Sequence, residues 1–254
     1  MRLIDSHIHV TMLPYDGLQA MARGGVVKAI SCAVLVGAQH AESYFDHFKQ
    51  NYNFYRSWAA QEGIELYTAV GVHPAGIPAD WTRVVDKLPE FLAEPSVVAL
   101  GEIGMNNDTQ LERDVLKAQL EVAKAVNKPC IIHTPNQNRR AFVDLYFEMA
   151  QQVGIPAHLL VIDHAMLDII DQINEFGAVP GITIRKQHVL PEHLAENLDR
   201  YANGMLNCDY SNIFYNDPTG VIKAANYLKE QNVDPKIIEN LTYNKAAEVF
   251  GIGD

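Results

Sequence analysis

Eight short apolar runs, spread along the whole chain, constrain the fold more than any other feature of the sequence. They are rich in Val, Ile and Leu and mostly lack polar alternation, which is typical of parallel strands buried on both faces. We predict strands at residues 3–5, 29–36, 66–72, 97–102, 129–133, 159–163, 178–184 and 205–209. Strands of this kind need helices packed against the sheet, so the sequence predicts an α/β protein.

Amphipathic segments lie between these runs, and their three- and four-residue apolar spacings indicate helices. We predict helices at residues 41–62, 111–126, 140–153, 167–176, 191–201, 219–231 and 235–249. Alternating strands and helices imply parallel strands with crossover helices, and eight such units close into a (β/α)8 TIM-type barrel of typically about 250 residues. We therefore expect a single barrel domain, residues 1–254. An open doubly wound sheet is the alternative, but no G-x-G-x-x-G turn follows the first run.

Charge and composition limit where the protein acts and what it binds. A formal net charge of −11 disfavours loose binding to nucleic acid or anionic lipid. No run approaches the ~18 apolar residues of a membrane span, and the first residues do not resemble a signal peptide. The cysteines show no C-x-x-C spacing, which suits a reducing compartment. We expect a cytoplasmic protein that acts on a small molecule.

Side chains that can bind metal stand at the ends of the predicted strands. They are His7 and His9 at the first strand, His73 at the third, Glu102 at the fourth, His133 at the fifth, His164 at the sixth and Asp209 at the eighth. In a barrel of parallel strands, all carboxyl ends open on the face that holds the active site. Residues from distant parts of the chain would therefore converge on one small area.

The residue types indicate a centre for divalent metal ions. His7 and His9 are two residues apart, so in a strand both imidazoles point to the same side and can reach one ion. Imidazoles with carboxylates suit Zn²⁺, Mn²⁺ or Fe²⁺ better than Ca²⁺. A carboxylate can bridge two ions about 3.5–4 Å apart, and the central position of Glu102 makes it the candidate for that bridge.

Several motifs resemble those of the TatD-like metal-dependent hydrolases of the amidohydrolase superfamily. The matching pieces are Asp5-Ser6-His7-Ile8-His9, Gly71-Val72-His73-Pro74, Gly101-Glu102-Ile103-Gly104, Ile132-His133-Thr134-Pro135, Ile162-Asp163-His164, Cys208-Asp209 and the closing Asn244-Lys245-Ala246-Ala247-Glu248-Val249-Phe250. They keep the order of the family and run nearly the full length of the chain. The Gly-Glu-Ile-Gly motif is the most specific of them.

The resemblance implies a barrel with two divalent ions, of Zn, Mn or Fe, with Mg as a further option. It implies His7, His9 and Asp209 as ligands of one ion, His133 and His164 as ligands of the other, and Glu102 as the bridge. A water or hydroxide between the ions would be the nucleophile. Asp209 would take its proton and later pass it to the leaving group.

The chain departs from the nuclease-type members of this family beside the predicted centre. Pro135 stands where those members carry Arg, Met105-Asn106 where they carry Leu-Asp, and Asn207-Cys208 where they carry Glu-Thr. The predicted ligands survive these changes, but the contacts to the substrate do not. These differences count against carrying DNase activity over to this chain.

Other polar residues are candidates for contacts to the substrate. Arg185 and Lys186 follow the seventh strand, where barrel loops often bind phosphate, so either can hold an anionic group; a surface pair of cations is the alternative. His73 falls outside the implied ligand set. We predict that it orients the substrate or stabilises developing negative charge, the alternative being a structural role.

Carboxylates and histidines outside the ligand set have simpler predicted roles. Asp5 and Asp163 lie beside ligand histidines and are predicted to accept hydrogen bonds that orient the imidazoles. The remaining histidines are His40, His47, His158, His188 and His193. We predict that most of them lie on solvated faces.

These residues predict a hydrolase that cleaves a phosphoester, or a related bond in a small and anionic molecule, with metal-activated water. Asp209 would act as general base, a role typically contributing about 10²–10⁴-fold. Hydrolysis of a cyclic amide or lactone and DNase-type phosphodiester cleavage are the enzymatic alternatives. A non-catalytic metal-binding protein is the third, although it would not need the proton carrier Asp209.

Overall fold

The computed structural model describes residues 1–213 and 216–253, except for the side chain of Tyr15, and contains eight parallel strands in a nearly closed barrel. The strands are β1 (Leu3–Ile8), β2 (Val26–Cys32), β3 (Glu65–Val70), β4 (Val97–Gly104), β5 (Cys130–His133), β6 (Leu160–Ile162), β7 (Val179–Thr183) and β8 (Met205–Asn207). Neighbours in sequence pair with each other throughout. The predicted (β/α)8 fold is confirmed.

Hydrogen bonds between β1 and the residues after β8 bring the two ends of the chain together. The amide of Asp209 donates to the carbonyl of His7 at 2.9 Å, and the amide of His9 donates to the carbonyl of Tyr210 at 3.1 Å. Ile8 and Tyr210 form a parallel bridge at the same place. Three predicted ligands, His7, His9 and Asp209, therefore lie side by side.

Helices surround the strands. They are α1 (Tyr15–Arg23), α2 (Ala41–Lys49), α3 (Arg56–Gln61), α4 (Trp81–Leu92), α5 (Gln110–Val126), α6 (Arg139–Val153), α7 (Ile170–Phe176), α8 (Pro191–Glu196), α9 (Leu198–Tyr201), α10 (Gly220–Glu230), α11 (Pro235–Glu239) and α12 (Lys245–Phe250). The predicted helix at residues 41–62 is α2 and α3 joined by a π-helical turn, Gln50–Tyr55. A second such turn, Asn240–Asn244, joins α11 to α12.

The sequence prediction misses α1 and α4. Gly17 lies inside α1 and Pro89 inside α4, and both residue types lower helix propensity. Helix α4 forms nevertheless, because Val84, Leu88 and Phe91 recur at helical spacing and are buried. Packing against the barrel therefore outweighs the unfavourable proline.

Strand bounds also differ from the prediction, in a way that matters for the site. Strand β1 continues past residue 5 to Ile8, because Ile8 still pairs with Ser31 of β2. Strand β2 begins at Val26 and ends at Cys32, before the predicted end at residue 36. His7 is therefore part of a strand, and His9 follows directly after it.

The end of the barrel opposite the site is apolar. A cluster of buried residues with a member from each strand, among them Ile30, Ile131 and Val161, is completed by Phe250 and Ile252 near the chain end. All three cysteines are buried and free. None of the helices among the described residues is both long and apolar enough to cross a membrane.

Candidate metal centre

Glu102 lies in the middle of a ring of histidines at the carboxyl ends of the strands. Its Oε2 is 3.5 Å from His7 Nε2 and 3.6 Å from His9 Nε2. Its Oε1 is 2.8 Å from His133 Nδ1 and 3.4 Å from His164 Nε2. One carboxylate thus presents each of its oxygens to a different pair of imidazoles, an arrangement suited to a bridge between two ions.

Asp209 lies on the open side of the same cluster. Its Oδ1 is 3.2 Å from His9 Nε2 and 3.6 Å from His7 Nε2, and its Oδ2 is 4.0 Å from His164 Nε2. Ligand atoms of His7, His9, Glu102 and Asp209 all lie within 4.8 Å of one another and are buried. The structure therefore brings all six predicted ligands together.

The outer nitrogens of His7 and His9 fix which nitrogen can bind a metal ion. Nδ1 of His9 donates to the carbonyl of Cys32 at 2.9 Å, and Nδ1 of His7 donates to the carboxylate of Asp163. A neutral imidazole carries one proton, so a protonated Nδ1 leaves the lone pair of Nε2 facing the centre. These residues fit a divalent cation.

A second layer of buried groups supports His7. Asp163 Oδ1 accepts a hydrogen bond from the Asn207 amide at 2.8 Å, while its Oδ2 binds His7. Gly181 lies directly beneath, where an added Cβ would be 2.3 Å from Asp163 Oδ1. Asp5 Oδ1 accepts from the backbone amide of His7 at 3.3 Å. Both aspartates predicted as acceptors therefore contact His7, but only Asp163 contacts its ring.

The imidazoles of His133 and His164 have weaker hydrogen-bonding partners than that of His7. Nδ1 of His164 lies 2.9 Å from the hydroxyl of Thr183, and its Nε2 faces Glu102. The ring of His133 is 20% exposed, and the described residues offer it only Glu102 and His164 as hydrogen-bonding partners. His164 and Asp209 both have positive φ values, 57° and 43°, and such backbone conformations often occur at functional sites.

His73 lies beside Glu102 with the opposite proton arrangement. Its Nδ1 accepts a hydrogen bond from the amide of Ala75 at 3.0 Å, so in the neutral ring the proton is on Nε2. That Nε2 is 3.6 Å from Glu102 Oε2, and burial lowers the pKa of His73 to about 3. Although His73 is close enough to form a ligand group with Glu102 and His133, a neutral His73 presents a hydrogen-bond donor and no lone pair.

The two carboxylates are anionic at neutral pH. Burial raises the pKa of Glu102, but its electrostatic attraction to the imidazoles of His7 and His133 outweighs burial and holds that pKa well below its usual range. Burial likewise opposes ionisation of Asp209, but the close approach of His9 Nε2 to its carboxylate and the electrostatic effect of His164 lower its pKa overall. The cluster is thus a buried anionic site that attracts cations.

Arg185 reaches into the pocket, whereas Lys186 does not. Arg185 Nη1 donates to Asp209 Oδ2 at 2.5 Å, and Nε donates to Nδ1 of His188 at 2.9 Å. Lys186 is exposed on the surface. Of the two predicted substrate contacts, the structure therefore places one beside the ligands.

Of the five histidines that were predicted to lie mostly on solvated faces, His40, His158 and His193 are exposed, and His188 and His47 are the exceptions. His188 is buried, its ring centroid lies 4.9 Å from that of His164, and it fixes the guanidinium of Arg185. His47 is also buried, and burial lowers its pKa to about 4. The three-residue spacing of Arg185 and His188 after a strand was the available signal for the first.

A pocket of about 310 Å³ lies above the centre. Its lining combines the candidate ligands with the neighbouring loops, and includes His9, Met12, Val34, Val36, His73, Ala75, Glu102, Asn106, His133, Asn136, His164, Arg185, Asp209, Ser211 and Ile213. This volume admits a small molecule or the end of a larger one.

Comparisons with known proteins agree with this geometry. The sequence model of the family described as TatD related DNase matches residues 4–251. An uncharacterized metal-dependent hydrolase of Methanocaldococcus jannaschii is 32% identical over 246 residues, which are 96% of this chain and 98% of the relative.

Solved structures give the same result for the fold. The chain is similar to the crystal structure of a TatD-like protein from Archaeoglobus fulgidus, with a TM-score of 0.82, 28% identity, and coverage of 98% of this chain and 100% of that one. It also resembles the phosphotriesterase homology protein of Escherichia coli, solved with phosphate in its active site, with a TM-score of 0.73, 14% identity and 98% coverage of both chains. At that identity the second likeness concerns the fold alone.

Proposed function

Since this chain belongs to the family of TatD-related DNases and is a metal-dependent hydrolase, we propose that it cleaves a phosphoester bond in a small molecule. Arg185 is the observation that carries the proposal. Its guanidinium is largely buried and lies 2.5 Å from Asp209 Oδ2, beside the candidate ligands. A fixed cation at this place suits an anionic phosphoryl group, which a guanidinium binds through two parallel hydrogen bonds.

The proposed centre holds two divalent ions. One would be bound by His7, His9 and Asp209, the other by His133 and His164, with Glu102 shared between them. When bound, such an ion lowers the pKa of a coordinated water from 15.7 to roughly 7 and neutralises charge on the substrate oxygens. The support for this assignment is the inward Nε2 of His7 and His9 and the two anionic carboxylates.

The residues of the chain would divide the remaining work. Asp209 accepts the proton of the attacking water, whose oxygen bonds to phosphorus as the ester phosphorus–oxygen bond breaks. The leaving oxygen then takes that proton. Arg185 binds an anionic oxygen of the phosphoryl group, and the Nε2–H of His73 donates to the charge that develops there.

The proposal is tested by removing one of two adjacent cations. Arg185→Gln is expected to lower kcat/KM for p-nitrophenyl phosphate by about 10- to 100-fold, the usual effect of losing one charge-assisted hydrogen bond. Lys186→Gln removes the same charge one residue away, on the surface, and should change it less than twofold. Kinetics are measured with Mn²⁺ in excess.

The alternatives give other results in the same assay. Turnover of a lactone that Arg185→Gln leaves unchanged would favour hydrolysis of a cyclic ester or amide and contradict the proposal. Cleavage of a single-stranded oligonucleotide, with p-nitrophenyl phosphate left intact, would favour a DNase-type phosphodiesterase. Equal losses in the two variants would show that Arg185 has no specific role.

A further inference from the structure

A second cavity opens beside the metal centre, between the segment after β4 and the start of α6. It has a volume of about 360 Å³. We call it the amide groove, because its lining includes the side chains of Asn106, Asn107, Gln137 and Asn138, together with Phe142. Asn106 lines both this groove and the pocket above the ligands, so the two cavities adjoin.

The amides of the groove are available to a ligand. None of the four side-chain amides makes a hydrogen bond to another residue within the described ranges. The backbone that carries two of them is fixed, because the carboxylate of Glu112 accepts from the amides of Asn106 and Thr109, both at 2.9 Å. Two of the groove's four unused amides, Asn106 and Asn107, thus stand on a firmly held loop.

The groove differs in charge from the opposite side of the mouth. No cationic side chain is found among the described residues that line it, and Asp108, which does line it, is engaged by Arg113 at 2.6 Å. Arg185, by contrast, follows β7, two strands round the barrel from β5 and three from β4. An anionic group is favoured beside Arg185, and an uncharged group that both donates and accepts hydrogen bonds is favoured in the groove.

We propose that the amide groove binds an uncharged, hydroxyl-rich leaving group, of the sugar or polyol class, in a substrate whose phosphoryl group lies at the metal centre. Amide side chains match hydroxyls, which are donors and acceptors at once, and Phe142 contributes an apolar part of the lining, which suits the carbon atoms of a sugar. This inference rests on the proposed function. In that hydrolysis the sugar oxygen leaves phosphorus and receives the proton from Asp209.

The test uses hydrolysis-resistant phosphonates and the Mn²⁺-loaded protein. Isothermal calorimetry compares methylphosphonate with the phosphonate isostere of a hexose 6-phosphate. The hexose is expected to strengthen binding at least about tenfold in the natural protein, and Asn107→Ala/Gln137→Ala should remove most of that gain, as expected for two lost hydrogen bonds. Gln187→Ala, at an exposed amide after β7 that does not line the groove, is the control that should retain it.

The possible failures are distinguishable. No gain from the hexose in the natural protein, or a gain that the double variant retains, overturns the groove as a sugar subsite. Failure of methylphosphonate to bind contradicts the proposed function instead. In that case saturation-transfer NMR with an uncharged methyl hexoside decides the groove alone: contact that the double variant abolishes supports it, and no contact overturns it.

Discussion

The two halves of the candidate metal centre share Glu102, but the imidazoles of one half have stronger hydrogen-bonding partners than those of the other. In the half formed at β1 and β8, His7 donates to a buried carboxylate and His9 to a backbone carbonyl. In the half formed at β5 and β6, His164 meets only a hydroxyl, and His133 is 20% exposed. The first half is arranged in advance by the fold, whereas in the proposed two-ion centre the second would depend more on its ion.

This difference sets an expected order of metal affinity. A carboxylate acceptor fixes the orientation of an imidazole and raises its basicity as a ligand, while a neutral hydroxyl does so less. We expect the half with His7 and His9 to bind its ion more tightly than the half with His133 and His164.

Asp209→Asn should have the largest effect, because Asp209 contacts imidazoles of both halves and is the proposed proton acceptor. We expect kcat to fall about 10³–10⁴-fold, the upper range for loss of a general base. Steady-state kinetics at saturating Mn²⁺ measure this, with metal content checked by elemental analysis. Asp199→Asn, on an exposed turn of α9, is the matched control. A loss below tenfold would remove Asp209 from the mechanism.

Asp163→Asn should weaken the well-ordered half specifically. The variant leaves His7 with an uncharged acceptor, and loss of such a partner typically costs about 10–100-fold in metal affinity. Competition with a chromogenic chelator measures the tighter of the two binding steps. If only the weaker metal-binding step were affected, Asp163 could not belong to the half that binds its ion more tightly.

Thr183→Val applies the same test to the other half with a smaller expected effect. The substitution removes the hydroxyl that contacts His164 Nδ1 and keeps the shape of the side chain. We expect about fivefold weaker binding in the looser step, in line with one neutral hydrogen bond. An effect larger than that of Asp163→Asn would reverse the proposed order of the halves.

Acid stability of the scaffold should change least, and it sets the pH range in which the halves can be compared. The pKa of His47 is lowered to about 4 in the folded state, so the unfolded state binds more protons once the pH falls below 6.5. The contribution of His47 to stability is therefore lost as the pH falls, by less than about 1 kcal/mol between pH 7 and pH 6. Chemical unfolding at both pH values should show a smaller loss in His47→Gln.

The sequence predicted the fold and the ligand cluster because both depend on local patterns. Apolar runs mark buried strands, and parallel strands place residues such as His133 and Glu102 at one end of the barrel. It did not predict α1 or α4, because Gly17 and Pro89 lower the helix propensity of these segments. The apolar face of each helix stabilises it only when it packs against the barrel. Local pattern and tertiary packing disagree at these helices, and packing prevails.

Other features of the site depend on contacts that no spacing encodes. The role proposed for His73 as a donor rests on one hydrogen bond, which its Nδ1 accepts from the amide of Ala75. The burial of His188 and its contact with Arg185 require the fold of the loop after β7. The proton positions that separate ligands from donors are therefore properties of the folded chain.

Gly181 has no functional group, yet an alanine there would place its methyl carbon 2.3 Å from the oxygen of Asp163 that holds Asn207. The carboxylate would have to swing away from the imidazole of His7. Selection for catalysis would thus act on a position that never meets water, metal or substrate. A library that randomises only the chemically reactive residues would overlook one of the least tolerant sites in the enzyme.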